Sequence, residues 1–260
     1  MTQQYHFKDM LARDELIITF ALGRIVHPIL IDMFALAGGY HGFWLDQEHC
    51  GVTPQQVITA STAARANGFD TFVRLPPTGY APVTQCLEAG AGGVMAAQVH
   101  SAAEAKEFVR WCKFPPAGTR GLNSGGFDAD YTHKSPAQFS AEANDKNFVA
   151  IQIETLGALE EVDAIAAIDG VDLVFVGPSD MSLALGIVGQ FHSDKLWDAM
   201  DRVAAAAKNR GKHWGTLPYD PEMAERALEK NCKLLTIGNE IVITRKGIDA
   251  VQSAFSGQFS

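Results

Sequence analysis

The stretch FVAIQIETLGALEEVDAIAAIDGVDLVFVG, residues 148–177, holds two apolar runs, 148–154 and 173–177, on either side of a helix-like segment. The runs are apolar almost throughout, with little polar alternation. That is expected of parallel strands, which are covered on both faces. The same rhythm recurs along the chain. Further runs lie at 16–22 (LIITFAL), 42–46 (GFWLD), 71–75 (TFVRL), 93–97 (GVMAA), 213–217 (HWGTL) and 234–238 (LLTIG), making eight in all. The segments between them carry helix-start signals. Thr53-Pro54 and Asp220-Pro221 each place a capping residue before a proline at the first helical position. Ser101 to Glu104, SAAE, reads as a capping box. Gly38, Gly68, Gly90 and Gly211 follow helix-like stretches and can take the left-handed conformation that ends a helix. Eight strand–helix units in 260 residues predict an α/β fold, a (β/α)8 TIM barrel, with residues 1–260 forming a single domain. A doubly wound open sheet would usually need a glycine-rich phosphate turn after its first strand, and GRIVHP (23–28) is not one.

Composition narrows the function classes. The formal charge is −9 and the chain shows no basic stripe, which argues against a nucleic-acid partner. The acidic balance serves solubility. Cys50, Cys86, Cys112 and Cys232 are widely spaced and form no CxxC, so neither a zinc site nor a disulfide framework is expected. Reduced thiols in a cytoplasmic protein account for them. Residues 1–15 are polar and lack the apolar core of a secretory signal, and no run of 18 apolar residues would cross a membrane. Residues 114–147, rich in Gly, Pro, Asn and Asp, read as one long irregular segment, either a functional cover or a solvent-exposed insertion.

In such a barrel the active site lies at the C-terminal ends of the strands. Those ends carry Asp46, Glu48 and His49 after the second run, Arg74 in the third, Gln98 after the fourth, Gln152 and Glu154 in the fifth, and Ser179 and Asp180 after the sixth. The last two strand ends read as neutral. Gln152 and Glu154 are two apart and share a face. If that face is the interior, Glu154 is a buried carboxylate that needs a cation or a proton. Glu154 with Asp180 suits Mg²⁺ or Mn²⁺, whose other ligands are water and substrate; a structural pair between Glu154 and Arg74 is the alternative. The turn GPSD (177–180) leads into a short helix whose first amides, at Ser179 and Asp180, would be free for an anion. His49 is structural or catalytic on spacing alone. None of the eight runs contains a lysine, which excludes a Schiff-base mechanism inside the barrel and leaves carbanion stabilisation to a metal or an arginine.

LDQEH (45–49), VRLP (73–76), PPAGTRG (115–121), QIET (152–155) and VGPSDMS (176–182) together resemble the HpcH/HpaI class II pyruvate aldolases, in family order and over nearly the whole chain. The resemblance implies a metal-dependent carbon–carbon lyase that joins or cleaves pyruvate, or hydroxypyruvate, and an aldehyde. It implies a divalent cation (Mg²⁺, Mn²⁺ or Co²⁺) on Glu154 and Asp180, His49 as general base, Arg74 on the enolate, and Gln152 and the Ser179 backbone on the 2-oxo acid. Asp46 would orient the loop and the imidazole. Glu88 falls at the family's aspartate that supports the histidine. The partners implied are a small 2-oxo acid and an aldehyde, with a homo-oligomer, a hexamer, as the assembly. Two positions depart from the family. Gln47 replaces a glycine and is expected to narrow the aldehyde side, and Glu88 is one methylene longer than aspartate. The alternatives are an acyl-CoA lyase, which would want a basic nucleotide patch for which only Arg24 and Arg120 are candidates, and a non-catalytic 2-oxo acid binding protein.

Overall fold

The computed structural model describes residues 4–259. In chain order the elements are α1 (Phe7–Ala12), β1 (Ile17–Leu22), α2 (Pro28–Ala37), β2 (Gly42–Asp46), α3 (Pro54–Ala66), β3 (Asp70–Leu75), α4 (Tyr80–Glu88), β4 (Gly93–Ala96), α5 (Ala102–Cys112) and α6 (Pro136–Lys146). There follow β5 (Phe148–Ile153), α7 (Leu156–Glu160), α8 (Val162–Ala166), β6 (Leu173–Val176), α9 (Pro178–Ala184), α10 (Asp194–Asn209), β7 (His213–Thr216), α11 (Pro221–Glu229), β8 (Leu234–Asn239) and α12 (Glu240–Ala254). The eight strands pair in parallel in the order β1 to β8, and β8 closes on β1 as a (β/α)8 barrel. Each strand coincides with one of the eight apolar runs to within a residue or two.

Period-2 alternation sorts the side chains into two cores. Val73, Leu75, Val149, Ile151 and Val174 face outward, where the helices cover them. Ile17, Trp44, Phe72, Met95, Phe148 and Phe175 fill the interior. Helix α1 stoppers the N-terminal end of the barrel: Phe7, Met10 and Leu11 join the interior cluster, and the Phe7 ring meets those of Phe72 and Phe148 at 6.0 Å each. The polar start, residues 1–15, lies partly outside the described residues; from Phe7 onward it builds this stopper.

The caps behave largely as expected. Thr53 and Gln56 form a reciprocal capping box, and Asp220 accepts from the Met223 amide. Ser101 accepts from the Glu104 amide, but Glu104 reaches past Ser101 to the His100 amide, so only half of the expected box forms. Gly38, Gly68, Gly90 and Gly211 all have positive φ.

Segment 114–147 departs from the irregular loop expected of it. It contains a one-turn 3₁₀ helix, Phe127–Ala129, and all of α6. It runs from the end of α5 to the start of β5, both at the N-terminal face of the barrel, so within one chain it does not cover the strand C-termini. Its own small core is Phe114, Ala129, Phe139 and Ala143.

Candidate active site

The interior alternation continues upward into charge. Above Trp44 on β2 comes Asp46, above Phe72 on β3 comes Arg74, and above Ala150 on β5 come Gln152 and then Glu154. Asp46 and Arg74 are register partners. Arg74 donates from Nε to Asp46 Oδ1 (3.1 Å) and from Nη2 to Asp46 Oδ2 (2.8 Å), a two-pronged pair. Its Nη1 lies 3.0 Å from Glu48 Oε2, and its guanidinium sits over the Trp44 ring at 4.6 Å. Burial pushes the Asp46 carboxyl up, but the Arg74 guanidinium outweighs burial and holds it below the ordinary value. Burial raises Glu48, opposed by Arg74 and reinforced by Asp46 and Asp180.

Asp46 also shapes the loop that follows. Its Oδ1 accepts from the amides of Glu48 (3.0 Å) and His49 (3.4 Å), and this turn carries the imidazole to the mouth. His49 Nε2 stands 3.8 Å from Glu48 Oε2, and His49 is more than half exposed. Cys50 is next to it, but burial, with Asp46 adding to it, pushes its thiol up to about 11, so it is not a ready nucleophile.

Glu154 is 1% exposed. It does not pair with Arg74. Its Oε1 accepts from the Gln98 amide (2.8 Å) and side chain (3.2 Å), and its Oε2 accepts from Gln152 Nε2. Gln98 aims that amide from a left-handed conformation, φ 49°, which a side-chain-bearing residue adopts only under constraint. Gly177 leaves room beside it: a Cβ there would press on Glu154 Oε2 and Gln152 Nε2 and displace those side-chain ends. Burial pushes the Glu154 carboxyl up to about 7, and the charges of Glu48 and Asp180 add to the rise. Gln152 Oε1 is buried without a hydrogen-bond partner.

The donor types here are those that a divalent cation takes. Glu154 and Asp180 are hard oxygen donors, and the carboxylate cluster around them exceeds the charge of Arg74. Among the described residues no group of three metal-ligating side chains is assembled, so an ion here would draw most of its shell from water and substrate, as Mg²⁺-type ions do.

A cavity of about 450 Å³ opens at the strand C-termini, lined by Asp46, His49, Arg74, Gln152, Ser179 and Asp180 among others. Two predicted features do not reach it. Glu88 sits on the last turn of α4, which runs away from the mouth, and accepts from Asn123 Nδ2 (3.0 Å); within the chain it does not support His49. Gln47 follows the inward-facing Asp46 and so faces outward, where its Oε1 accepts from Cys86 Sγ (3.2 Å); it does not narrow the cavity. Gln98, expected at the end of the fourth strand, holds Glu154 through its amide and side chain. Two contributors were not anticipated from the sequence. Tyr219, after β7, bonds through its hydroxyl to that of Ser179. Glu240, at the start of α12, is 2% exposed and lines the cavity, so the last strand end is not neutral. Its signal was the dipeptide Asn239-Glu240 directly after the eighth run. Of the two arginines weighed for a nucleotide, Arg120 is buried against Asp128, away from the mouth.

Residues 27–246 match the HpcH/HpaI aldolase/citrate lyase family. A 4-hydroxy-4-methyl-2-oxoglutarate aldolase of Hapsidospora irregularis is 35% identical over 75% of this chain and 73% of its own length. A hydroxypyruvate/pyruvate aldolase of Pseudomonas aeruginosa is 30% identical over 96% of this chain and 92% of its own. Among solved structures, an HpcH/HpaI aldolase from Desulfitobacterium hafniense superposes with a TM-score of 0.87 at 30% identity, covering 94% of this chain and 96% of that one.

Proposed function

Since this chain belongs to the HpcH/HpaI aldolase/citrate lyase family and is an aldolase, a carbon–carbon lyase, we propose that it makes or cleaves the bond between C3 of a 2-oxo acid and an aldehyde carbon, with a divalent cation at Glu154 and Asp180. The observation that carries this reading is the acidic cluster around Glu154, a buried carboxylate with no cation partner of its own. Mg²⁺, Mn²⁺ or Co²⁺ held there would act as a Lewis acid on the oxygens of the 2-oxo acid.

The chain's own residues supply the rest. Pyruvate or hydroxypyruvate would lie against Arg74, Gln152 and the first amides of α9. Asp46 takes two of the Arg74 N–H donors and Glu48 faces a third, which leaves two of five for the developing enolate oxygen. In cleavage, His49 accepts the proton of the 4-hydroxyl. The C3–C4 bond breaks, C4 leaves as an aldehyde carbonyl, and the electron pair passes to C3 and the 2-oxo group. His49 then returns its proton to C3. Asp46 and Glu48 hold Arg74 and the His49 loop in place.

The assembly is a homo-oligomer in this reading. Ile241, Ile243, Ile248, Val251 and Phe255 of the last helical stretch are each more than 40% exposed, as are Ile29, Met33 and Leu36 of α2. Apolar faces of this extent call for a cover, and further copies of the chain provide it. Four free cysteines accord with a cytoplasmic setting. Among the described residues no helix is long and apolar enough to cross a membrane.

The test is an aldol assay of pyruvate and hydroxypyruvate against a panel of aldehydes, with chelated protein and protein reloaded with each metal. Activity should vanish on chelation and return with a divalent ion. Undiminished turnover in the metal-free protein would refute the metal site, and no turnover with any pair would refute the reading.

A further inference from the structure

We infer that the acceptor of this enzyme is a hydroxyaldehyde, recognised by Glu240 and Asn239 across the mouth from the 2-oxo acid. The inference rests on the aldolase reading above and adds the chemical class of the second substrate.

The closed strand order divides the mouth. The residues for the 2-oxo acid, Arg74, Gln152, Ser179 and Asp180, come from β3, β5 and the loop after β6. The facing arc is β7, β8 and β1, and its wall is mixed. Ala21, Leu217, Ile241 and Val242 are apolar, whereas Tyr219, Asn239 and Glu240 bring hydrogen-bonding groups. Arg24 stands at the rim, where its Nη2 donates to the His49 carbonyl (3.4 Å).

Glu240 and Asn239 are each anchored by one atom of a polar pair, which leaves the other for a ligand. The N–H groups of Gly23 (3.0 Å), Arg24 (2.5 Å) and Ile25 (3.4 Å) all donate to Oε1 of Glu240. Successive amides converging in this way suit one anionic oxygen. Among the described residues nothing donates to Oε2, although Glu240 is only 2% exposed, so this oxygen is an acceptor for whatever enters the cavity. Asn239 shows the opposite polarity. Its Oδ1 accepts from the Val242 amide (2.9 Å) and caps α12, which fixes the side-chain amide and turns Nδ2 the other way. Among the described residues Nδ2 has no acceptor, so it offers two N–H donors. A further donor comes from Tyr219, which stacks on Phe191 at 3.9 Å and shares one hydrogen bond with the Ser179 hydroxyl. Two hydroxyls joined by one such bond keep one O–H to spare.

A hydroxyl on the aldehyde matches this wall. It donates to Glu240 Oε2 and accepts from Asn239 Nδ2. An alkyl tail would strip water from a carboxylate and an amide and give them nothing in return, which is costly. A carboxylate tail could accept from Asn239 but would meet the charge of Glu240, and the Arg24 guanidinium is turned to the His49 carbonyl. Glu240 and Asn239 are thus specificity-determining residues for the acceptor.

The test compares glyceraldehyde with propanal, the same three-carbon chain without hydroxyls, as acceptors for pyruvate in metal-loaded wild type, Glu240→Gln and Asn239→Ser. Wild type should favour glyceraldehyde in kcat/KM, expressed on the unhydrated aldehyde, by at least about tenfold, the usual worth of a hydrogen bond to a charged group. In Glu240→Gln the amide oxygen stays with the three backbone donors, so a nitrogen replaces the free acceptor and the preference should fall about tenfold. Asn239→Ser keeps a capping oxygen for α12 and removes the N–H donors, so the preference should fall about two- to tenfold. Wild type that uses the two aldehydes equally, or uses neither while exchanging the pyruvate methyl protons, would overturn the inference. So would folded variants that keep the wild-type preference. Faster turnover of 4-oxobutanoate than of glyceraldehyde would mean that Arg24 recruits an anion, and would overturn it as well. If Glu240→Gln does not fold, Asn239→Ser and the wild-type preference decide. Exchange of the pyruvate methyl protons keeps the two readings apart. Its absence in wild type defeats the aldolase reading and this inference with it, while normal exchange without the preference defeats this inference alone.

Discussion

Replacing Glu154 with glutamine should make the metal-free protein more stable at neutral and alkaline pH. In the fold, burial, then the charges of Glu48 and Asp180, hold this carboxyl at about 7 against an ordinary 4.5. A raised folded value means that the protonated form fits the fold better. Its contribution is therefore complete below pH 4.5, falls as pH rises through the interval to about 7, and is gone above it. At 1.36 kcal/mol per unit, the difference is roughly 3 kcal/mol. For a chain of this size that is about 6–12 °C in melting temperature. Glutamine keeps an oxygen for the Gln98 amide and has nothing to ionise, so this part of the pH dependence should vanish. Asp70, pushed up to about 6 at the other end of the barrel, adds a slope of the same sign to both proteins, so the difference between them isolates Glu154. The assay is urea denaturation of metal-free wild type and variant at fixed protein concentration between pH 4.5 and 8.5. Adding Mn²⁺ at about 100 times its Kd should restore about 2.7 kcal/mol to wild type at pH 8, less at pH 6 where the proton competes, and nothing to the variant. Parallel pH profiles for the two metal-free proteins would refute the buried-charge argument. Equal Mn²⁺ stabilisation of both would refute the assignment of Glu154 as a ligand.

Other substitutions separate the remaining roles. His49→Ala should lower turnover by about 10²–10⁴ with metal affinity little changed, measured by steady-state kinetics beside a Mn²⁺ titration; a larger loss in Asp46→Ala with normal His49→Ala activity would move the base elsewhere. Arg74→Lys keeps the charge but loses the planar fork that Asp46 grips, so pyruvate proton exchange and aldol turnover should fall together; normal exchange would assign Arg74 to the aldehyde. Gly177→Ala drives a methyl into Glu154 and Gln152, and should cost about 1–3 kcal/mol of stability and weaken Mn²⁺ binding, while an unchanged Mn²⁺ affinity would show that the cradle tolerates displacement.

The barrel was legible because parallel strands write themselves as apolar runs, and all eight did. The donor half of the site was legible for a related reason: period 2 on β5 sets Gln152 and Glu154 on one face, and Asp46 and Arg74 end adjacent strands. The same rule, applied one residue further, would have turned Gln47 outward to Cys86. Glu88 was matched by position along the chain, which carries no direction, and within one chain α4 leads it away from the mouth. Helix α6 had its signal in Ser135-Pro136, where the serine caps the Gln138 amide, but the glycines upstream obscured it. The left-handed Gln98 has no sequence signature at all, since it is held there by its surroundings. Glu240 needed knowledge of closure: its partners Gly23, Arg24 and Ile25 lie more than 200 positions earlier in the chain.

That closure governs the order in which the protein can be made. β1 pairs on one side with β2 and on the other with β8, matching Ile17 to Leu234. On the ribosome, one edge of β1 therefore stays open until the last strand emerges. At the usual 5–20 residues per second, the roughly 210 residues between them take about 10–40 s. Throughout that interval the growing sheet presents an unpaired, strongly apolar edge, and neighbouring nascent chains on one message present the same edge. Non-local pairing of this kind also slows refolding. Expression yield should therefore respond to chaperone supply and translation rate more than to the equilibrium stability of the finished barrel.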